Sequence, residues 1–110
     1  MKKINLAITG CMGRMGQELI KSSSLDKNFK LVSLTESRKI KKKIKGIKPG
    51  HNTINTFKKA DVIIDFTIPK CTIEVLKIAM KQKKRVVIGT TGFTEKQEKL
   101  IKNYSKKISI

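Results

Sequence analysis

The sequence predicts an α/β fold built on a doubly wound parallel sheet, and three observations indicate it. Short apolar, β-branched runs alternate with segments of helical spacing along the 110 residues. A glycine-rich turn, Gly10 to Gly16, lies between the first predicted strand and the first predicted helix. Polar or glycine-rich stretches follow the predicted strands, where ligands bind in such sheets. We therefore expect one Rossmann-like, dinucleotide-binding domain over residues 1–110.

The first half of the chain alternates strand and helix around the glycine turn. Ile4 to Thr9 is predicted to be a strand, and helical spacing of apolar residues predicts a helix from about Gly13 to Ser23. Phe29 to Thr35 is the second predicted strand, with Glu36 at its end. The polar, lysine-rich residues 37–52 are predicted to form a loop with room for one short helical turn.

The next segment contains the most apolar strand of the chain. A short strand is predicted from Thr53 to Thr56 and a turn of helix from Phe57 to Ala60. Val62 to Thr67 is a nearly continuous β-branched run, typical of a parallel strand buried on both faces. Pro69 suits the first position of the helix after this strand.

The last third repeats the pattern of strand and helix. Arg85 to Ile88 is a predicted strand that ends in the glycine-rich turn Gly89 to Gly92. Thr94 and Gln97 have the spacing of a capping box, which predicts a helix beginning after Thr94. Ile108 to Ile110 is expected to open a further strand.

The charge of the chain is its most unusual compositional feature. There are 26 Lys and Arg residues against 8 Asp and Glu, a formal net charge of +18. Almost all of the basic residues are Lys, whereas nucleic-acid-binding surfaces favour Arg for its bidentate hydrogen bonds. The densest group lies in residues 39–48 and is interpreted as a solvated loop. A basic module that binds nucleic acid stays open as the alternative function.

Several other classes are not supported by the sequence. No apolar run is long enough to cross a membrane, and the short apolar stretch after the basic N-terminus, broken by Asn5, indicates a strand rather than a secretory signal. Cys11, Cys71 and His51 have no metal-ligand spacing, so no metal site is predicted. Both cysteines are expected to be reduced, in a cytoplasmic protein. No catalytic residue is predicted.

The candidate site lies at the carboxyl ends of the predicted strands. The free N–H groups and the positive end of the helix dipole at the glycine turn suit a pyrophosphate. Glu36 comes after Gly16 at the spacing of the carboxylate that binds an adenosine ribose. That carboxylate favours a free 2′-hydroxyl, whereas Arg38 and the lysines beyond it offset repulsion of a 2′-phosphate. Both NADH and NADPH stay open as cofactors.

Two further turns are expected at the same sheet edge. Asp65 to Thr67 and Gly89 to Gly92 each come at the end of a predicted strand, so we expect them beside the ring end of a dinucleotide. Their small hydroxyl groups and free N–H groups suit that role. His51 is interpreted as solvated.

Three motifs together resemble one known family. Gly10-Cys11-Met12-Gly13-Arg14-Met15-Gly16 is similar to the G-x-x-G-R-M-G signature of 4-hydroxy-tetrahydrodipicolinate reductase. Val62 to Thr67 and Val87 to Phe93 resemble the next two motifs of that family, in the same order. The resemblance covers the whole chain but only the N-terminal half of the family's length.

The resemblance implies a set of roles. It implies an NADH- or NADPH-dependent transfer of a hydride to a cyclic imine dicarboxylate in lysine and diaminopimelate biosynthesis. The family's motifs place the pyrophosphate on Gly10, Cys11, Met12, Gly13, Arg14 and Met15, the ribose on Glu36, and the nicotinamide on Phe66, Thr67, Gly89, Thr90 and Thr91. Thr91 would also approach a substrate carboxylate. The position after the ribose glutamate is often Arg in the family and serves a 2′-phosphate; here it is Ser37, with Arg38 one place later.

The resemblance also implies a second domain in the family. Members continue into a C-terminal substrate domain with a histidine-rich motif and a tetramer-forming sheet. We expect residues 1–110 to stop before that domain, and the N-terminal domain alone to turn over no substrate. A full-length family member is expected to be a homotetramer. A non-catalytic nucleotide-binding remnant is a further alternative.

Overall fold

The computed structural model describes residues 3–110 and confirms the predicted parallel α/β sheet. Four strands, β1 (Ile4–Thr9), β2 (Phe29–Thr35), β3 (Val62–Asp65) and β4 (Arg85–Ile88), pair in the order β2-β1-β3-β4. Every pair is parallel. The helices are α1 (Arg14–Ser24), α2 (Ile54–Phe57), α3 (Pro69–Gln82) and α4 (Glu95–Ser105). None of the described helices is long and apolar enough to span a membrane.

Apolar residues cover both faces of the sheet, as a doubly wound fold requires. On one face Ala7, Ile63 and Val86 pack against Val75, Leu76 and Ala79 of α3 and form the α3 cluster. On the other face Leu6, Ile8 and Leu34 pack against Ile20 of α1 and form the α1 cluster. Because neighbouring strand residues point to opposite faces, β1 contributes to both clusters. The strand order changes direction between β1 and β3, and the loops after these strands open a crevice there.

Local sequence signals predicted the N-terminal ends of α3 and α4 correctly. Pro69 is the first residue of α3, as predicted. The Thr94 hydroxyl accepts the N–H of Gln97 at 3.2 Å, and the Gln97 side chain accepts the N–H of Thr94 at 2.9 Å. The predicted capping box is therefore confirmed, and α4 packs against the α3 cluster through Ile101 and Tyr104.

Three predictions of secondary structure between residues 53 and 67 were wrong. Thr53 to Thr56 is not a strand: the Thr53 hydroxyl accepts the N–H of Thr56 and caps α2, so the helix begins at Ile54. The predicted helical turn from Phe57 to Ala60 therefore lies too late, because Phe57 ends α2 and is buried under the sheet. β3 ends at Asp65 rather than Thr67, because its pairing with β1 ends at Thr9 and its pairing with β4 ends at Ile88.

The lysine-rich loop is ordered by its isoleucines and contains no helical turn. The N–H groups of Ile44 and Ile47 each donate to the other residue's carbonyl, at 2.8 and 2.9 Å. Lys45 and Gly46 form the turn between them with positive φ. Both isoleucines pack on the α1 face of the sheet, so the lysines of this segment are left at the surface.

The last three residues form no strand, although one of them pairs with the sheet. Val86 N–H donates to the carbonyl of Ser109 at 2.9 Å, and Ile108 is buried in the α3 cluster. The predicted strand is thus reduced to one backbone hydrogen bond at the edge of β4.

Candidate functional site

An open cleft lies at the carboxyl ends of β1, β2 and β3, in the crevice where the strand order changes. Its volume of about 510 Å³ is within the usual range for small-molecule sites. Five of the predicted site residues line it: Gly10, Gly13, Glu36, Phe66 and Thr67. The remaining lining comes from Thr35, Ser37, His51, Asn52, Ile68, Cys71 and Glu74.

The glycine turn brings the loop after β1 close to two other segments. Gly10 has φ of 61°, and a Cβ there would lie 2.9 Å from the carbonyl oxygen of Phe66. A Cβ at Gly16 would overlap the carbonyl oxygen of Gly10 and lie 2.9 Å from the Cα of Cys11. Gly10 therefore permits the turn itself, and Gly16 permits α1 to start directly against it.

The N–H groups of the turn divide into two sets. Those of Cys11, Met12 and Gly13 donate to the Thr35 carbonyl, the Glu36 carboxylate and the Gly10 carbonyl, at 3.1, 3.0 and 3.0 Å. The first hydrogen bond between the turn and α1 runs from Gln17 N–H to the Gly13 carbonyl. The N–H groups that precede it, at residues 14–16, lie at the positive end of the helix dipole and are the natural donors to an anion.

None of the non-glycine side chains of the turn lines the cleft. Cys11 is buried in the α1 cluster, and burial, with the Glu36 carboxylate second, raises the pKa of its thiol. Met12 packs against the same cluster, whereas Arg14 and Met15 are exposed, Met15 by 48%. Cys11 acts as a packing residue, and both cysteines are free thiols.

Glu36 lies across the glycine turn at the end of β2. One carboxylate oxygen accepts the Met12 N–H at 3.0 Å, and the other accepts the Ser37 N–H at 2.9 Å. The carboxylate is half-buried and lines the cleft. Arg38 is exposed two residues further along, outside the cleft lining.

The loops after β3 and β4 meet at the other side of the glycine turn. The ring of Phe66 lies on Gly89, where a Cβ would overlap the ring. The N–H of Thr67 donates to the hydroxyl of Thr90 at 2.9 Å. Thr90 is buried, with 8% of its surface exposed, while Thr91 is exposed. The structure thus joins the two predicted turns, as the topology required.

Sequence reasoning missed several cleft residues. Ile68, Cys71 and Glu74 follow one another at intervals of three residues, so they lie on one face at the start of α3. That spacing is a sequence signal that could have predicted their place in the cleft. Burial, with the Glu74 carboxylate second, raises the pKa of the Cys71 thiol, which disfavours a nucleophilic role. His51 reaches the cleft because Gly50 pairs with β2, which leaves His51 Nδ1 3.1 Å from the Glu36 carbonyl oxygen. No local sequence signal indicates that contact.

The sheet order, the position of the cleft and the glycine turn at the start of α1 define a Rossmann-type nucleotide-binding domain. Residues 4–110 match the family described as dihydrodipicolinate reductase, N-terminus. The chain belongs to that family, and the match confirms the resemblance predicted from the sequence.

Individual relatives agree with the family. The chain is 69% identical over 110 residues to the 4-hydroxy-tetrahydrodipicolinate reductase of Pelagibacter ubique (strain HTCC1062), covering all of this chain and 43% of that protein. It is 39% identical over 125 residues to the enzyme of the same name from Buchnera aphidicola subsp. Cinara cedri (strain Cc), covering 98% of this chain and 44% of that protein. The chain thus spans less than half the length of these relatives.

Solved structures share the fold. A dipicolinate-bound dihydrodipicolinate reductase from Paenisporosarcina sp. TG-14 matches with a TM-score of 0.77 at 27% identity, over 94% of this chain and 43% of that one. A D-galactose-1-dehydrogenase from Rhizobium etli matches with a TM-score of 0.75 at 22% identity, over 97% of this chain and 35% of that one. The second likeness concerns the fold alone.

Proposed function

We propose that this chain is the NADH- or NADPH-binding domain of a 4-hydroxy-tetrahydrodipicolinate reductase. The observation that carries the proposal is the position of Glu36: its carboxylate is hydrogen-bonded to the glycine turn and lines the cleft beside it. A carboxylate placed so close to a helix N-terminus can accept hydrogen bonds from a ribose whose phosphates lie on that terminus.

The residues present fit a dinucleotide. The space at Gly10 and Gly16 would be lost to any side chain, and the first-turn N–H groups of α1 remain for phosphate oxygens. The proposed pyrophosphate contacts are Gly10, Cys11, Met12, Gly13, Arg14 and Met15. The N–H groups of Arg14 and Met15 are the donors that the hydrogen bonds within the turn do not use. Glu36 would hold the adenosine ribose.

The nicotinamide end is proposed to lie on the loops after β3 and β4. Phe66 and Thr67 line the cleft. Gly89 lies against the Phe66 ring, and the Thr90 hydroxyl accepts the N–H of Thr67. Thr91 is exposed at the same edge and would contact a carboxylate of the substrate, a cyclic imine dicarboxylate. When bound, the cofactor supplies a hydride; the role of this domain is to bind and orient it.

The preference between the two cofactors depends on opposing charges. The Glu36 carboxylate favours the free 2′-hydroxyl of NADH and repels the 2′-phosphate of NADPH. Arg38 and the lysines of residues 39–48 lie beyond it on the same loop and attract that phosphate. We propose that the domain accepts both cofactors.

For the full-length protein we propose that it catalyses a step of lysine biosynthesis, forms a homotetramer and lies in the cytoplasm.

Titration of the chain with NADH, monitored by nicotinamide fluorescence, tests this proposal. Glu36→Lys removes the ribose acceptor and Gly13→Asp places a negative charge beside the phosphates, so each should weaken binding by about tenfold or more. Glu18→Lys makes the same charge change as Glu36→Lys at an exposed position of α1 and should leave the affinity within about twofold.

The same titration separates the proposal from the nucleic-acid alternative. NADH binding that survives about 0.3 M salt and is lost in both variants supports a dinucleotide site. Steeply salt-dependent binding of an oligonucleotide, without any binding of NADH, would contradict it.

A further inference from the structure

Asp65 is a fully buried carboxylate at the end of β3, with 0% of its surface exposed. Its hydrogen-bonding partners are four neutral hydroxyl groups. Thr9 and Thr67 donate to Oδ1, at 2.5 and 2.9 Å, and Thr72 and Thr90 donate to Oδ2, the latter at 3.1 Å. Burying a carboxylate is costly, and a neutral side chain would serve packing alone at lower cost. The position therefore calls for an explanation beyond packing.

The four hydroxyl groups come from four parts of the fold. Thr9 ends β1, Thr67 lies in the loop after β3, Thr72 is on α3, and Thr90 lies in the loop after β4. Three of them have a second acceptor at 3.4 Å: the Ile64 carbonyl for Thr9, and the Ile68 carbonyl for Thr67 and Thr72. Among the described residues Thr90 has no such alternative. Its orientation depends on Asp65.

The Thr90 hydroxyl carries the contact between the two loops. It has one hydrogen, which it donates to Asp65, so its oxygen is left to accept the N–H of Thr67. The bonds therefore run in one direction, from the Thr67 N–H through the Thr90 hydroxyl to the carboxylate. This link fixes the loop carrying Phe66 to the loop carrying Gly89.

We propose that Asp65 is a positioning residue for the nicotinamide end of the cofactor site. Its carboxylate sets the direction of the Thr90 hydroxyl and so holds the loops after β3 and β4 in the arrangement that receives the ring. This inference rests on the proposed function, because it assumes that a nicotinamide dinucleotide is the ligand.

Asp65→Asn tests the inference because it keeps the shape and removes one acceptor oxygen. The asparagine amide has one acceptor oxygen for four hydroxyl donors, so it no longer fixes the direction of the Thr90 hydroxyl. We expect NADH to bind about tenfold more weakly, whereas ADP-ribose, which lacks the nicotinamide, should bind within about twofold of its original affinity. In the ligand-free protein the Thr67 amide hydrogen should exchange with solvent faster.

Two further variants sharpen the test. Thr90→Val replaces the hydroxyl group by a methyl group of similar size. It should reproduce the loss for NADH and the faster exchange at Thr67, even if Asp65→Asn does not fold. Combined with Asp65→Asn it should add little, since both changes break the same link. Asp61→Asn is the matched control: Asp61 precedes the same strand at its other end, where its carboxylate accepts the Asn5 N–H, and its substitution should change neither ligand's affinity.

Equal weakening of NADH and ADP-ribose, additive losses in the double variant, or unchanged exchange at Thr67 would overturn the inference. If the unsubstituted chain binds neither ligand, the proposed function fails. The exchange of the Thr67 amide then decides whether Asp65 holds the two loops together.

Discussion

Gly16 determines how closely α1 approaches the loop that precedes it. A Cβ at this position would overlap the carbonyl oxygen of Gly10, a backbone atom that no side-chain rotation can move away. Gly16 is buried on the first turn of α1, where alanine would otherwise be the better helix former. Its role is therefore set by the contact and not by local helix propensity.

We expect Gly16→Ala to lower the free energy of unfolding by about 1–3 kcal/mol, because α1 must shift away from the glycine turn. The same shift should weaken NADH binding. Urea unfolding monitored by circular dichroism measures the first effect, and titration with NADH measures the second. Ser22→Ala, at an exposed position of the same helix, should change the stability by no more than about 0.5 kcal/mol. A Gly16→Ala variant at least as stable as the original protein would contradict this role of Gly16.

At the scale of elements, α4 illustrates a helix whose start is fixed locally and whose position is fixed by packing. Its capping box satisfies two backbone N–H groups at the N-terminus. No residue of α4 is fully buried, and Ile101 and Tyr104 attach it to the α3 cluster from its edge. The capping interaction therefore adds to the packing of Ile101 and Tyr104 in holding this helix.

Thr94→Ala should lower the free energy of unfolding by about 1 kcal/mol, because the N–H of Gln97 loses its acceptor. The affinity for NADH should stay within about twofold, since none of the cleft residues lies on α4. Thr94→Ser keeps the hydroxyl group and serves as the control, with a stability close to that of the original chain. Chemical denaturation of the three proteins provides the measurement. An equal loss in the serine variant would show that the methyl group, and not the hydroxyl, is responsible.

At the scale of the whole molecule, the net charge of +18 acts on any anionic ligand. Attraction between exposed charges weakens with salt, whereas hydrogen bonds to buried or backbone groups respond less. NADH and NADPH differ by one phosphate group, so a comparison of the two isolates the contribution of the surface charge.

We expect the affinity for NADPH to fall more steeply than that for NADH between about 50 mM and 500 mM salt. Replacing Arg38 by Gln should weaken NADPH and spare NADH, because Arg38 lies just beyond Glu36 on the loop that would face the 2′-phosphate. Arg85→Gln, exposed at the start of β4 and hence at the opposite end of the strands, is the control. Isothermal titration at both salt concentrations measures the four affinities. Parallel salt dependences for the two cofactors would count against a 2′-phosphate contact on this loop.

Much of the fold was determined by the sequence alone. The alternation of strand and helix, the start of α3 at Pro69, the capping box of α4 and the glycine turn each depend on residues within a few positions of one another. Local interactions of this kind leave a readable pattern. The same pattern was misread at Thr53, where a residue common in strands caps a helix instead.

Only the tertiary structure decided how these elements form the candidate site. The contacts of His51 with Glu36, of Phe66 with Gly89, and of Asp65 with Thr9 and Thr90 join residues far apart in the chain. Each contact depends on the order of the strands and on how closely their loops approach. The sequence alone thus located the glycine turn and the Glu36 carboxylate beside it, whereas packing at the sheet edge decided which groups surround them, because side chains brought together from distant segments leave no local pattern.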